Sequence, residues 1–222
     1  PIGFCSPWPT RLWIFKGILC CICAPFFTVT FAHNFIGDYL TSGVKALIDF
    51  QYTVCYLATD FYPTLNVKEC ATPTAQYFLT GLPLYFRMMQ CARRYHDTRD
   101  ASHMCNFGKY AVALLAVCSG AIWPHYRTYA DVWTLGHILN IALLATSTVY
   151  AYTWDILKDW GLFIKKQDGT WGYRHVVYRH KHMIVFSALT NLIGRCAWMY
   201  TIMVAPPGTA WQKEVLTLMT AV

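Results

Sequence analysis

The sequence predicts an all-α fold, a polytopic transmembrane helical bundle of about five to six spans, and three observations carry that expectation. Hydrophobic residues make up 56% of the chain and charged residues only 13%, against about 25% charged in a soluble domain. Aromatic residues reach 17%, in keeping with many side chains at lipid interfaces. The basic residues are also unevenly placed. Arg87, Arg93, Arg94 and Arg99 crowd one connection and Lys158, Lys165, Lys166, Arg174, Arg179 and Lys181 another, whereas residues 60–75 and 124–131 hold only Lys68 and Arg127. Short loops rich in Lys and Arg stay on the cytoplasmic side, so both clusters are expected inside. The net charge of +7 comes with no nucleic-acid recognition motif, and topology accounts for it better than nucleic-acid binding.

Charge gaps and punctuation set the elements in order. Residues 17–37 are uncharged but interrupted by Pro25, which leaves the tail of an earlier span, an interfacial helix or a kinked crossing. A helix over 36–62 stops at Pro63 and contains Asp38, Lys45 and Asp49. A shorter one over 76–90 carries Pro83, which predicts a kink, with Arg87 approaching the inner interface. Residues 106–123 form a span stopped by Pro124, and 132–154 form the cleanest span, free of charge. A span over 182–204 ends before Pro206 and Pro207, and another helix begins at 211–222. With the basic loops inside, these segments alternate across the membrane as five spans and a partial sixth with short connections.

Polar residues inside such segments must face the bundle, water or a partner. Arg195 is the one charge in the run 182–204, and an arginine at mid-depth costs at least ~2.5 kcal/mol. Asn191, Arg195 and Trp198 recur at i, i+4 and i+7, so one helical face offers an amide, a guanidinium fork and an indole N–H, a set that suits an oxyanion. Pairing with a carboxylate for packing alone is the competing reading. Asp38, Thr41/Ser42, Lys45 and Asp49 form a polar stripe that either lines a path or holds helices together through an internal Asp–Lys–Asp network. Lys109 and Tyr110 open the 106–123 helix, where the lysine either snorkels or meets an anion at a pore mouth. Asp155 and Asp159 stand four apart beside Trp154 and Trp160; they suit charge partners for Arg195 and other cations, with a magnesium site as the lesser alternative. Arg93 and Arg94, in the basic turn before Asp97, read as contacts to anionic lipid headgroups or to a polyphosphorylated regulator.

The ten cysteines do not spell a disulfide or zinc framework. Cys20, Cys21, Cys23, Cys55, Cys91, Cys118 and Cys196 lie in or beside apolar runs and read as small buried residues. No P-loop, GxSxG, HExxH or dinucleotide fingerprint occurs, so neither an enzyme nor a cofactor or metal site is expected. The chain starts at Pro1 and stops at Val222 within an apolar stretch, which reads as a fragment of a longer membrane protein.

Several motifs together resemble a known family. Gly37-Asp38-Tyr39-Leu40-Thr41-Ser42, Gln90-Cys91-Ala92-Arg93-Arg94-Tyr95-His96-Asp97-Thr98, Gly108-Lys109-Tyr110, the run from Trp154 and Asp155 through Asp159-Trp160-Gly161-Leu162-Phe163, and Arg195 with Trp198 stand in the order seen in the EXS domains of eukaryotic SPX–EXS phosphate exporters. The resemblance covers about residues 8–222. It implies a division into an interfacial or partial transmembrane segment over 1–35 and an EXS-like transmembrane core over 36–222, incomplete at its C-terminal end. It implies export of inorganic phosphate through a helical bundle, controlled by inositol pyrophosphates acting on an SPX domain of the full-length chain. By motif, the anion path falls on Asp38, Arg87, Lys109, Tyr110, Asp155, Asp159, Arg195 and Trp198. Thr41 stands where many relatives carry asparagine, and the family's further Arg-Arg pair would lie beyond Val222. Membrane lipids are expected partners, and a homodimer is allowed for. The competing function is a non-transporting sorting or retention protein of the Golgi, so the expected location is the plasma membrane or the Golgi.

Overall fold

Proline and glycine cut the apolar sequence into helices whose ends can be traced to named residues. A computed structural model describes residues 8–61, 70, 73–122, 135–165, 169, 171–173 and 181–199. Helix α1 spans Trp8–Ile22 and α2 Phe31–Ser42. They are parted by a turn with a cis Ala24–Pro25 bond, so Pro25 does interrupt the apolar run. Thr30 caps α2: its hydroxyl accepts the His33 N–H while the His33 ring accepts the Thr30 N–H, which satisfies two of the amides a helix start leaves open.

The single helix expected over 36–62 is two, because α3 begins anew at Val44–Phe61 after a break at Gly43. The Gly43 N–H still bonds the Tyr39 carbonyl at 2.8 Å, and a Cβ there would sit 3.1 Å from that same oxygen. Helix α4 covers Pro73–Thr98 and absorbs Pro83 internally. It runs two turns past the expected end at residue 90, so the Arg93–Asp97 segment is helical rather than loop. Arg99 adopts a left-handed conformation (φ 58°), and the Asp100 carboxylate then accepts the Ser102 N–H at 2.9 Å and opens α5, Ala101–Ile122. Helices α4 and α5 thus form an antiparallel hairpin, closely packed at Gly81, where a Cβ would lie 3.3 Å from Leu114 Cδ1.

A disulfide joins Cys55 near the end of α3 to Cys70 ahead of α4. This corrects the reading of Cys55 as a small buried apolar residue; Cys118, too, is exposed, whereas Cys21 and Cys91 are buried. Cysteine connectivity is not deducible from spacing when most of the cysteines are free.

Helix α6 spans Leu135–Trp154 and passes into one π-helical turn, Asp155–Asp159. Trp160 N–H closes that turn on the Asp155 carbonyl at 2.7 Å, and Gly161 at φ 54° reverses the chain, the left-handed position that glycine fills without strain. A short antiparallel ribbon follows, β1 Phe163–Lys165 against β2 Trp171–Tyr173, with Phe163 opposite Tyr173. The architecture is therefore helical with one departure from an all-α chain. Aromatic and β-branched residues flank Asp168-Gly169, a hairpin signal, and Gly169 has φ 81°. Helix α7 is Lys181–Arg195. It ends in a tight turn at Cys196 and Ala197, where the Ala197 N–H bonds the Gly194 carbonyl at 3.2 Å. The connections at 63–69 and 124–131 and the helix expected at 211–222 lie outside the described residues.

The chain divides into two units, Pro1–Pro124 and His125–Val222. In both, polarity is arranged the reverse of a soluble domain. Gln90 is fully buried and Arg87 and Asn140 nearly so, while Phe31, Phe26 and Leu135 are more than 80% exposed. Among the described residues one helix, α5, is long and apolar enough to cross a bilayer by length and composition.

Candidate functional site

Three helices of the first unit meet at Arg87. Asn34 and Asp38 stand four apart on α2 and Arg87 and Gln90 three apart on α4, so each of these helices presents its pair on one face, and Lys109 and Tyr110 are adjacent on α5. Arg87 is 5% exposed. Its Nη1 donates to Asn34 Oδ1 at 2.9 Å and to Gln90 Oε1 at 2.7 Å. Its Nε lies 2.8 Å from Asp38 Oδ1 and 3.3 Å from the Tyr110 hydroxyl. That hydroxyl donates to Asp38 Oδ1 at 3.1 Å. The Tyr110 ring takes both cations over its π-system, the Arg87 guanidinium carbon 5.2 Å and Lys109 Nζ 4.7 Å from its centroid, an attraction that strengthens away from water.

Close backbone approach makes this possible. A Cβ on Gly37 would sit 2.6 Å from Arg87 Cδ and 2.7 Å from Gln90 Oε1, so glycine before Asp38 is what lets α2 seat against α4. Gln90 also donates to the His33 carbonyl at 3.0 Å and to Cys21 Sγ at 3.2 Å, tying α1 and α2 to the arginine's floor. Asp38 is the carboxylate paired with Arg87, and Arg87 Nη2 has no hydrogen-bond acceptor among the described residues. A guanidinium nitrogen with no acceptor among the described residues is a donor of the kind that suits an oxyanion.

The second unit centres on Arg195. Its Nε and Nη2 both donate to Asp155 Oδ2, the former at 2.9 Å, and its Nε also to Asn191 Oδ1 at 3.1 Å. Asn191 Nδ2 donates to the same Asp155 oxygen at 2.8 Å. The Arg195 side chain is about one third exposed and that of Asp155 13%. Beside them α6 and α7 border an open cavity of about 380 Å³ lined by Ser147, Thr148, Ala151, Thr190, Asn191, Gly194 and Arg195, within the range of small-ligand sites. Ala151 and Gly194 leave the space, and hydroxyls, an amide and the guanidinium supply the polarity.

The sequence-derived residues therefore gather into two sets, Asp38, Arg87, Lys109 and Tyr110 in one unit and Asp155 and Arg195 in the other. Asp159 accepts the Trp154 indole N–H at 3.1 Å, so of the two carboxylates it is Asp155 that carries the Arg195 pair. Trp198, beyond the turn at Cys196 and Ala197, donates to Thr148 Oγ1 at 2.8 Å. The stripe on 38–49 is split in the same way by Gly43: Asp38 faces Arg87, while Lys45 pairs with Asp49 at 2.6 Å on α3. Arg93 Nε donates to Asp97 Oδ2 at 2.9 Å and Nη1 to the Pro25 carbonyl at 3.2 Å, which clamps the α1–α2 turn. The Arg93 hydrogen bond, with His96 beyond it, holds the Asp97 carboxyl below its ordinary value. Arg94 lies beside it, half-buried. Asn34, Gln90, Ser147 and Thr148 were not singled out from sequence. Asn34 at i−4 from Asp38 and Gln90 at i+3 from Arg87 were the available signals.

Comparison with known proteins gives these clusters a lineage. Residues 2–222 match the model of the EXS family. The chain is 34% identical over 203 residues to "SPX and EXS domain-containing protein 1" of Dictyostelium discoideum, covering 90% of this chain and 22% of that protein. It is 33% identical over 199 residues to "Phosphate transporter PHO1" of Arabidopsis thaliana, covering 88% and 25%. It is also 29% identical over 222 residues to "Solute carrier family 53 member 1" of Cricetulus griseus, covering 93% and 32%. The chain thus spans between a fifth and a third of the length of these relatives. With the family model matched from residue 2 to residue 222, the chain belongs to the EXS family.

Proposed function

We propose that this chain is the membrane-embedded core of an inorganic-phosphate exporter, and that phosphate is held in turn by the Arg87 and Arg195 clusters. The observation that carries this reading is Arg87, an arginine 5% exposed among Asp38, Lys109 and Tyr110 within helices whose outer faces are apolar. A charge so placed is costly, and intramembrane arginines mark substrate pathways or paired counter-charges. Asp38 takes only Nε, which leaves donors for an oxyanion, so the carboxylate orients the guanidinium and offsets part of its field. Lys109 and Tyr110 widen the positive surface, and Asp155 plays the part of Asp38 for Arg195. Relatives bearing the words phosphate transporter in their names support phosphate as the anion.

The reading extends to topology and regulation. The Cys55–Cys70 disulfide belongs in an oxidising compartment and, with the Lys/Arg asymmetry, supports an α3–α4 connection opposite the cytoplasm. An SPX domain on the full-length chain and inositol pyrophosphates as its ligands complete the proposal, with anionic lipids against Arg94. The test is radiolabelled phosphate efflux from cells expressing the full-length protein, normalised to surface protein. Arg87→Ala and Arg195→Ala should each lower efflux about tenfold or more, from charge-assisted bonds worth roughly 1.5–3 kcal/mol. Arg195→Lys should recover only part of it, having charge without the fork. Wild-type normalised efflux in both alanine variants would sink the proposal.

A further inference from the structure

The α6–α7 cavity contains a hydroxyl whose bonding differs from its neighbours. On α6, Thr146 donates its proton back to the Ala142 carbonyl at 2.7 Å, and on α7 Thr190 donates to the Phe186 and Ser187 carbonyls, each at 3.0 Å. Such back-bonding is the ordinary way a helical threonine satisfies itself. Thr148 does not do this. Its Oγ1 accepts the Trp198 indole N–H at 2.8 Å, and an indole nitrogen can only donate. The Thr148 oxygen is therefore the acceptor in that bond, and its own proton has no acceptor among the described residues. Thr148 lines the cavity with Ser147 and Arg195. Trp198 is absent from that lining, so its polar atom is spent on the threonine.

We propose that Thr148 is an anion-contacting residue of this cavity, donating its hydroxyl proton to a phosphate oxygen beside Arg195, and that Trp198 is its positioning residue. This rests on the phosphate reading above and changes the role of Trp198 within it. The indole fixes the rotamer of Thr148 and engages one oxygen lone pair, which turns the O–H toward the open volume. Ser147, one residue earlier on α6, supplies a second hydroxyl. Together with Arg195 Nη1, which has no acceptor among the described residues, these groups offer donors from two helices to one tetrahedral oxyanion.

The experiment uses the purified full-length protein in vesicles loaded with graded inorganic phosphate, measuring half-saturation and maximal efflux for equal amounts of incorporated protein. Thr148→Val keeps the shape and removes the donor, and should raise half-saturating phosphate about tenfold with little change in maximal rate. Thr148→Ser should restore it to within about twofold, because the hydroxyl returns. Trp198→Phe should raise it several-fold alone and add nothing on top of Thr148→Val, the non-additivity expected of one residue acting through another. Wild-type half-saturation in Thr148→Val, with Arg195→Ala strongly impaired, would overturn the Thr148 assignment and leave the phosphate reading standing. A further loss from Trp198→Phe in the Thr148→Val background would show the indole touching the anion directly and overturn the relay. No change in Arg195→Ala or Thr148→Val would remove the whole cavity from the phosphate path.

Discussion

Tyr110 donates its phenolic proton to Asp38 from 72 residues away in sequence, while its ring lies under both Arg87 and Lys109. One side chain thus joins the carboxylate of α2 to the two cations of α4 and α5. The hydroxyl and the ring do separable jobs, and substitutions can part them.

Tyr110→Phe keeps the ring contacts and loses the bond to Asp38. A hydrogen bond to a charged group contributes roughly 1.5–3 kcal/mol and a cation–π contact away from water about 2. Phosphate efflux per surface molecule should therefore fall about tenfold or more in Tyr110→Phe and further in Tyr110→Ala. Equal efflux in Tyr110→Phe and wild type would mean the phenol is not needed to set Asp38 and Arg87.

Gly37 and Gly17 should respond differently to the same added methyl. At Gly37 the new Cβ meets Cδ of the buried, hydrogen-bonded Arg87 at 2.6 Å and Gln90 Oε1 at 2.7 Å, whereas at Gly17 it meets Cδ1 of Ile36 at 2.5 Å, the movable tip of a flexible chain. Overpacking typically costs 1–3 kcal/mol. Gly37→Ala should lower the melting temperature in detergent and impair efflux, and Gly17→Ala should be mild. Similar melting temperatures for the two would show that α2 can slide on α4.

The disulfide and the basic loops give one topology that labelling can check. Impermeant thiol reagents applied to intact cells should reach Cys55 and Cys70 only after reduction, and should leave Cys105 unlabelled. An impermeant amine reagent should not reach Lys165. Modification of Lys165 from outside would reverse the assignment of the helices.

Asp97 supplies a pH dependence with a definite sign. Its carboxyl titrates below the ordinary value of 3.8, chiefly through the Arg93 hydrogen bond. A depressed folded-state value stabilises the fold above the unfolded value, and that contribution is lost as pH falls through the folded one. The melting temperature of Asp97→Asn should thus lie below wild type at neutral pH, and the two should converge as pH falls beneath 3.8. A gap that stays constant down the acid limb would mean the Arg93–Asp97 pair does not depend on the ionised carboxylate.

How much of this was legible depended on whether the signal was local. The Asn191–Arg195 pair follows from spacing alone, since i and i+4 share a helical face. The turn at Cys196 and Ala197, ahead of the Trp198 indole that bonds Thr148, was not readable, because nothing in that composition announces a helix end. Gly43 was hidden for a related reason, as an isolated glycine inside a helical pattern is often tolerated. The meeting of Asp38, Arg87 and Tyr110 is a tertiary event that only the motif resemblance placed together. The hairpin at Asp168-Gly169 was readable and was masked by the basic residues around it. The Cys55–Cys70 link lay beyond reach, since pairing partners are chosen by the fold.

The same link has a mechanical meaning. It pins the far end of α3 to the segment that leads into α4, and at the near end of α3 the chain breaks at Gly43. A rod tied in its second half, at Cys55, and jointed at its start swings most freely at the joint, like one arm of a pair of tongs. Any widening of the space between α3 and α4 must therefore grow toward the Gly43 end, where α2 begins its climb back to Asp38. The covalent tie and the glycine joint together decide which end of this unit can open.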